Sequence, residues 1–241
     1  MRLDKYVAQA MQLTRSEARA RIARGAVLVN GQVCKKADTA LKPQDEVAAA
    51  GQQLEHRQFV YLMLHKPQGV VSASTDRRDT TVVDLVKEAF PRRQLFPAGR
   101  LDKTSTGFVL LTDDGTFAHA ILAPKRHVPK TYWVRLDTPV TQEMVQAFEQ
   151  GVTLADGHTM LPARLLPDPQ DPMAAQVVLR QGVYHQIKRM FGVLGAGVDQ
   201  LHRSAIGEVR LDDSLAPGQW REMTAQEVEQ LAKASGITPG K

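Results

Sequence analysis

Near the N-terminus, Leu3, Val7, Ala10 and Met11 recur at helical spacing with charged residues between them, which predicts an amphipathic helix. Thr14, followed three positions later by Glu17, has the form of a capping box and predicts a second helix that stops at Gly25. The pattern then changes period. Val27–Leu28–Val29, Asn30–Gly31 and Val33 read as a hairpin around a type I′ turn, and Lys42–Pro43–Gln44–Asp45 reads as another turn. Residues 1–50 thus form a small αα-plus-sheet module. Ala48–Gln58 loses apolar periodicity and is small and polar, so residues 51–58 are expected to be a linker.

A longer alternation follows over residues 59–235, expected to be a second, α+β domain. Phe59–Leu64, Phe108–Leu111, Thr131–Leu136 and Gln176–Leu179 are short apolar runs that predict strands, and Leu201–Leu215 adds more. Helices are predicted at Val82–Phe90, ended by Pro91, at Thr116–Ala123, stopped by Pro124, and at Thr141–Gln150, capped by Thr141 and stopped by Gly151. Asp156–Gly157 marks a hairpin, and the four prolines from Pro162 to Pro172 predict an irregular, exposed connection. Thr224 with Glu227 caps a last helix, and 236–241 is expected to fray.

Composition narrows the partner. The 241 residues carry a net charge of +5, and residues 1–50 hold nine Lys or Arg against five Asp or Glu, or +4. A basic module fits a polyanion, although a solvated helix face carries a few arginines equally well. The single cysteine excludes an intrachain disulfide, and the seven histidines show no metal-ligand spacing. No Gly-rich phosphate loop precedes a helix and no apolar segment reaches membrane-spanning length. The expectation is a cytoplasmic monomer that uses no metal or cofactor, so its chemistry must come from side chains.

The chemistry concentrates in Ala98–Gly115, AGRLDKTSTGFVLLTDDG. Arg100 and Asp102 flank Leu101 and project to one face if the backbone is extended. An Asp in a Gly-bounded loop often does no more than tie down a turn. The whole stretch, however, resembles the GRLDxxTxGLLLxTxDG signature of the pseudouridine synthases related to RsuA, with Phe108 and Val109 as conservative departures. Three more segments resemble the same family. HKPQG at 65–69 is similar to its NKPxG segment, with His65 in place of Asn; Lys66 reads as a phosphate contact or a surface turn residue. HVPKTYWV follows the densest cationic run, Lys125–Lys130, and resembles the KTY element. GVYHQIKRMF resembles GxxHQ(V/I)(K/R)RM. RLDKYVAQ and TRSEARARIARGAVLVNG in turn resemble the S4 RNA-binding domain.

The resemblance implies an S4 domain followed by a two-lobed catalytic domain of mixed, mainly antiparallel sheet, with its site in the cleft between the halves. It implies Asp102 as the catalytic acid, Tyr132 beneath a flipped uracil, and Lys188 as the cation that contacts Asp102. Arg100, Ile187, Lys66, Lys130, His185 and Arg189 would support the substrate; on a helix His185 and Arg189 share a face that Lys188 leaves. Arg2, Lys5, Arg15, Arg19 and Arg24 would lie along an RNA backbone. The implied reaction isomerises a uridine of ribosomal RNA, and the sequence after LAPGQWREMTAQEVEQL, without a basic tail, looks most like the 16S rRNA enzyme. A large-subunit rRNA enzyme, a non-catalytic assembly factor and a glycosidase using Asp102 with Asp113 or Asp114 are the alternatives. The last lacks aromatic sugar platforms, with aromatic residues at 5% of the chain.

Overall fold

A computed structural model describes residues 1–11, 13–42, 44–54, 58–123, 126 and 128–237. Parts of the predicted 42–45 turn and 51–58 linker, Pro124, Lys125 and His127 of the cationic run, and 238–241 of the predicted tail lie outside the described residues. The chain forms two compact units. One comprises the described residues of Met1–Phe59 with Lys87–Gln94; the other comprises Val60–Val86 and the described residues from Leu95 on.

In the first unit, α1 (Leu3–Ala10) and α2 (Arg15–Ala23) pack on a four-stranded sheet of β1 (Val27–Val29), β2 (Gln32–Val33), β3 (Val47–Ala49) and β4 (Gln52–Gln53), in the order β2-β1-β3-β4. The helices bury Leu3, Val7, Ala18 and Ile22 against Val27, Val47 and Ala49. Thr14 and Glu17 form the predicted capping box. Asn30 (φ 52°) and Gly31 (φ 77°) both take the left-handed angles that a type I′ turn demands. Lys87–Gln94 joins this unit: Arg92 pairs with Glu17 at 3.2 Å and Arg93 donates to the Gln58 carbonyl.

The second unit is built on one mixed sheet of nine strands. In chain order its elements are β5 (Tyr61–Lys66), β6 (Phe96–Pro97), β7 (Thr106–Thr112), α3 (Gly115–Leu122), β8 (Lys130–Leu136) and α4 (Gln142–Gln150). They continue with β9 (Arg164–Pro167), β10 (Ala174–Leu179), α5 (Gln186–Val193), β11 (Val198–Ile206), β12 (Val209–Arg210), β13 (Trp220–Glu222) and α6 (Ala225–Ser235). The main path runs β13-β5-β7-β11-β8-β10-β9, with β12 beside β11 and β6 beside β7. Among the described strands only β7 and β11 pair in parallel. This matches the expected mixed, mainly antiparallel sheet. Among the described residues, one of its cores centres on Phe148, Met190 and Phe191 and another on Phe108, Phe117 and Leu231.

Three predicted elements differ. Gln52 and Gln53 of the predicted 51–58 linker form β4, hydrogen-bonded to Ala48 and Ala49 of β3, because backbone pairing at a sheet edge needs no apolar side chains. Val82–Phe90 is a series of turns rather than a helix. Its apolar spacing is real, since Val82, Val86 and Phe90 are all buried. Turns such as the one closed by Val86 N–H on the Val83 carbonyl satisfy that spacing, and β-branched Val82 and Val83 favour helix weakly. The proline-rich connection contains β9, which Pro167 tolerates because β9 is the edge strand and pairs only with β10.

Candidate active site

Asp102 stands in a loop whose backbone is pinned from several sides. Ser72 Oγ accepts from Leu101 N–H and donates to the Leu101 carbonyl, both at 3.0 Å. Gly69 N–H donates to the Lys103 carbonyl, and Ser105 N–H donates to the Asp102 carbonyl. Leu101 is buried beneath the loop, while Arg100 is exposed and Asp102 half-buried, as the alternation predicted.

Lys66 completes the support. It is fully buried at the end of β5, and its Nζ donates to the carbonyls of Pro67, Lys103 and Ser105, the last at 2.7 Å. Neither sequence reading of Lys66 holds: it is no phosphate contact and no surface turn residue. The antiparallel pairing of Lys66 with Gly107 turns its side chain under the loop, which sequence spacing does not reveal. Burial brings its pKa down to about 8, with the Asp102 charge opposing and Arg203 reinforcing that fall.

Asp102 opens into a cavity of about 630 Å³. Arg100, Lys130, Tyr132, His185, Ile187 and Lys188 also line it, so six of the predicted side chains converge there with Asp102. Lys130 opens β8, and burial followed by the Arg203 charge lowers its pKa to about 8. Tyr132 lies two residues on, opposite Val177 of β10 and Arg203 of β11.

The cation expected on Asp102 is arranged differently. His185 Nε2 lies 3.2 Å from Asp102 Oδ1, whereas Lys188 Nζ donates to Thr104 Oγ1 at 2.9 Å. His185 precedes α5 in a left-handed conformation (φ 51°), so helical spacing does not govern where its ring goes. That departure corrects the expected shared face: His185 turns to Asp102, while Arg189 forms an ion pair with Asp156 and is absent from the described cavity wall. Tyr184, 71% exposed, stacks on the His185 ring at 3.8 Å.

The sequence reading missed Arg203. It is 2% exposed, lines the cavity, and donates from Nε to the Phe108 carbonyl at 2.7 Å. Its backbone pairs with Gly107, where a side chain would come within 2.6 Å of Arg203 N, at a φ of 108°. Only glycine fits that approach. The signal was present in LHRSAIG, where Arg203 falls on the same alternating face as the apolar Leu201 and Ala205.

In the first unit, three of the four arginines assigned to RNA converge on an acid. Asp4 is fully buried and pairs with Arg2 (3.1 Å), Arg15 (3.5 Å) and Arg19 (3.0 Å), whose own side chains are about half exposed. Burial pushes the Asp4 carboxyl up, but the bonds from Arg2 and Arg19 and the charges of Arg2 and Arg15 outweigh it, leaving the pKa below the usual value. Among the described residues, Lys5 and Arg24 make no ion pair and stay exposed.

The RNA pseudouridylate synthase family matches residues 60–192, and the S4 domain family matches residues 1–47. An uncharacterised RNA pseudouridine synthase of Bacillus subtilis (strain 168) is 42% identical over 96% of this chain and 98% of its own length. Ribosomal small subunit pseudouridine synthase A of Escherichia coli (strain K12) is 38% identical over 95% of this chain and 98% of its own. A crystal structure of a pseudouridylate synthase superposes with a TM-score of 0.68 at 39% identity, covering 96% of this chain and 99% of that one. With an S4 match over the N-terminal residues and a synthase match over the unit that holds Asp102, this chain belongs to the RsuA-type RNA pseudouridine synthases.

Proposed function

We propose that this enzyme isomerises one uridine of 16S ribosomal RNA to pseudouridine, with Asp102 as its catalytic residue. The observation that carries the assignment is the cavity wall: Asp102 is the one carboxylate among its described lining residues, and its loop is held rigid on both sides. The small-subunit target is supported by the relatives of that name, which match along nearly the whole chain.

The target nucleotide swings out of its helix or loop, and the cavity, of ligand-binding size, receives the base. Asp102 acts on the ribose, by adding to C1′ or by taking the C2′ proton to form a glycal. Both routes need an ionised, fixed carboxylate. Tyr132 stacks on the released uracil and takes part in removing the C5 proton, directly or through water. His185 is the immediate partner of the carboxylate, and Lys188 acts through Thr104, bracing the loop two residues beyond Asp102. Residues 1–50 serve as the docking domain and 59–235 as the catalytic domain. Lys5 and Arg24 are offered to the RNA, with Arg2, Arg15 and Arg19 both holding Asp4 and presenting their exposed edges.

Pseudouridine and uridine have the same mass, so the test is chemical labelling of pseudouridine in rRNA from a deletion strain. One 16S position should lose its label, regain it with the wild-type gene and fail to regain it with Asp102→Asn. Loss in the large-subunit rRNA would move the target, and no loss anywhere would favour an assembly factor.

A further inference from the structure

Two buried polar groups in the wall of the cavity lack partners. Arg203 Nη2 and Ser105 Oγ have no hydrogen bond among the described residues, although Arg203 Nε is bonded and Nη1 lies 3.5 Å from the Arg100 carbonyl. A guanidinium carries five N–H donors, and buried donors are almost always satisfied. The cavity is also unbalanced in charge. Its described wall holds Arg100, Lys130, Arg180, Lys188 and Arg203 against one carboxylate. An oxygen-bearing, electron-rich group is missing from the protein side.

RNA offers phosphate oxygens, ribose oxygens and base carbonyls, and of these only the base carbonyls gain negative charge during the reaction. Phosphates stay with the strand, where the exposed Arg100 and Arg180 can meet them. Arg203 is only 2% exposed and Ser105 fully buried, so the group that reaches them has to be the flipped base. Resting on the assignment of this cavity to the target uridine, we propose that Arg203, together with Ser105, binds a carbonyl oxygen of the flipped uracil and stabilises the uracil anion formed during the reaction.

The electron count requires such an anion. When the C1′–N1 bond breaks, its electron pair passes to N1 and spreads onto O2 and O4. Asp102 meanwhile bonds to C1′ or holds the C2′ proton. C5 then bonds to C1′, Asp102 departs or returns the proton to C2′, C5 loses its proton and N1 gains one. The charge on O2 and O4 exists only between the two bond changes, where a preorganised buried cation lowers the barrier most. Lys130 opens the strand that carries Tyr132, the partner of Arg203 across the sheet, and adds a second positive group to the same wall.

The experiment measures single-turnover release of tritium from C5 of the target in rRNA carrying uridine, 2-thiouridine or 4-thiouridine there. Wild type, Arg203→Met and Ser105→Ala are compared, with thermal unfolding run alongside. Arg203→Met should slow uridine about 100-fold. One of the two thio substitutions should slow the wild type roughly fivefold more than it slows the variants, because sulfur accepts poorly and the variants have already lost that contact. Identical thio effects in all three proteins overturn the proposal. If Arg203→Met does not fold, Ser105→Ala alone decides in the same way. Full activity of Asp102→Asn would instead remove the underlying site assignment, so the two failures are distinct.

Discussion

Two buried charges in this protein have opposite fates. In the first unit Asp4 is surrounded by three arginines and its charge is fully answered. In the second unit Arg203 is equally buried, yet part of its guanidinium has no partner. Asp102, half-buried in the same cavity, is met by a histidine, while the lysine expected to pair with it binds a neighbouring threonine. A saturated buried charge organises structure. One left partly unanswered beside a cavity is arranged for something that arrives later.

The contrast predicts that the same substitution has different consequences in the two units. Asp102→Asn should lower single-turnover conversion by more than about 1,000-fold, with stability within about 0.5 kcal/mol of wild type. Asp4→Asn should do the reverse, costing about 2 kcal/mol of stability by leaving three arginines without their acceptor, with the chemical step unchanged. Because the Asp4 pKa is depressed on folding, its contribution is present above the ordinary carboxylate range and lost as pH falls through the folded value. Denaturation against pH should therefore show an acid-side loss in the wild type that Asp4→Asn lacks.

Lys188 gives a finer test. Lys188→Met should slow the chemical step about tenfold while weakening RNA binding far less. Thr104→Val should have a similar effect, because the lysine works through that hydroxyl. A Lys188→Met variant that loses affinity alone would make the lysine a phosphate contact.

The pH profile separates activity from stability. Lys66 and Lys130 titrate near 8, well below ordinary lysine, because they are buried. Above pH 8 the cavity wall loses the charge of Lys130, the loop beneath Asp102 loses that of Lys66, and the rate should fall. Folding stability should rise over the same range, since the unfolded chain then binds more protons than the folded one. Parallel pH–rate and denaturation curves read both directions.

The smallest effect concerns docking. Removing Lys5 and Arg24, which leave Asp4 untouched, should flatten the dependence of log affinity on log salt by roughly one unit or slightly less per contact. An unchanged slope would mean this face does not touch RNA.

Much of the scaffold follows from short-range rules. Both capping boxes, Thr14 with Glu17 and Thr224 with Glu227, form as their three-residue spacing dictates. So does the Asn30–Gly31 turn. Where local patterns have two solutions, sequence reading fails: an apolar residue every fourth position suits a helix, yet Val82–Phe90 meets it with turns. The Asp102 motif was legible because its neighbours in the chain build its own loop and the strand β7 that follows. The surroundings of Asp102 were not.

By itself, the sequence determined the helix caps, the tight turns, the apolar strands and which acid sits in the loop, because each depends on residues a few positions apart. Only the tertiary structure decided that Lys66 lies under that loop, that His185 rather than Lys188 faces Asp102, and that Arg203 enters the cavity. Those placements depend on strand register between distant segments: the Arg203 bond to Phe108 joins residues 95 apart. Such pairings are fixed by which faces of the whole sheet can be buried together, a condition no local pattern contains.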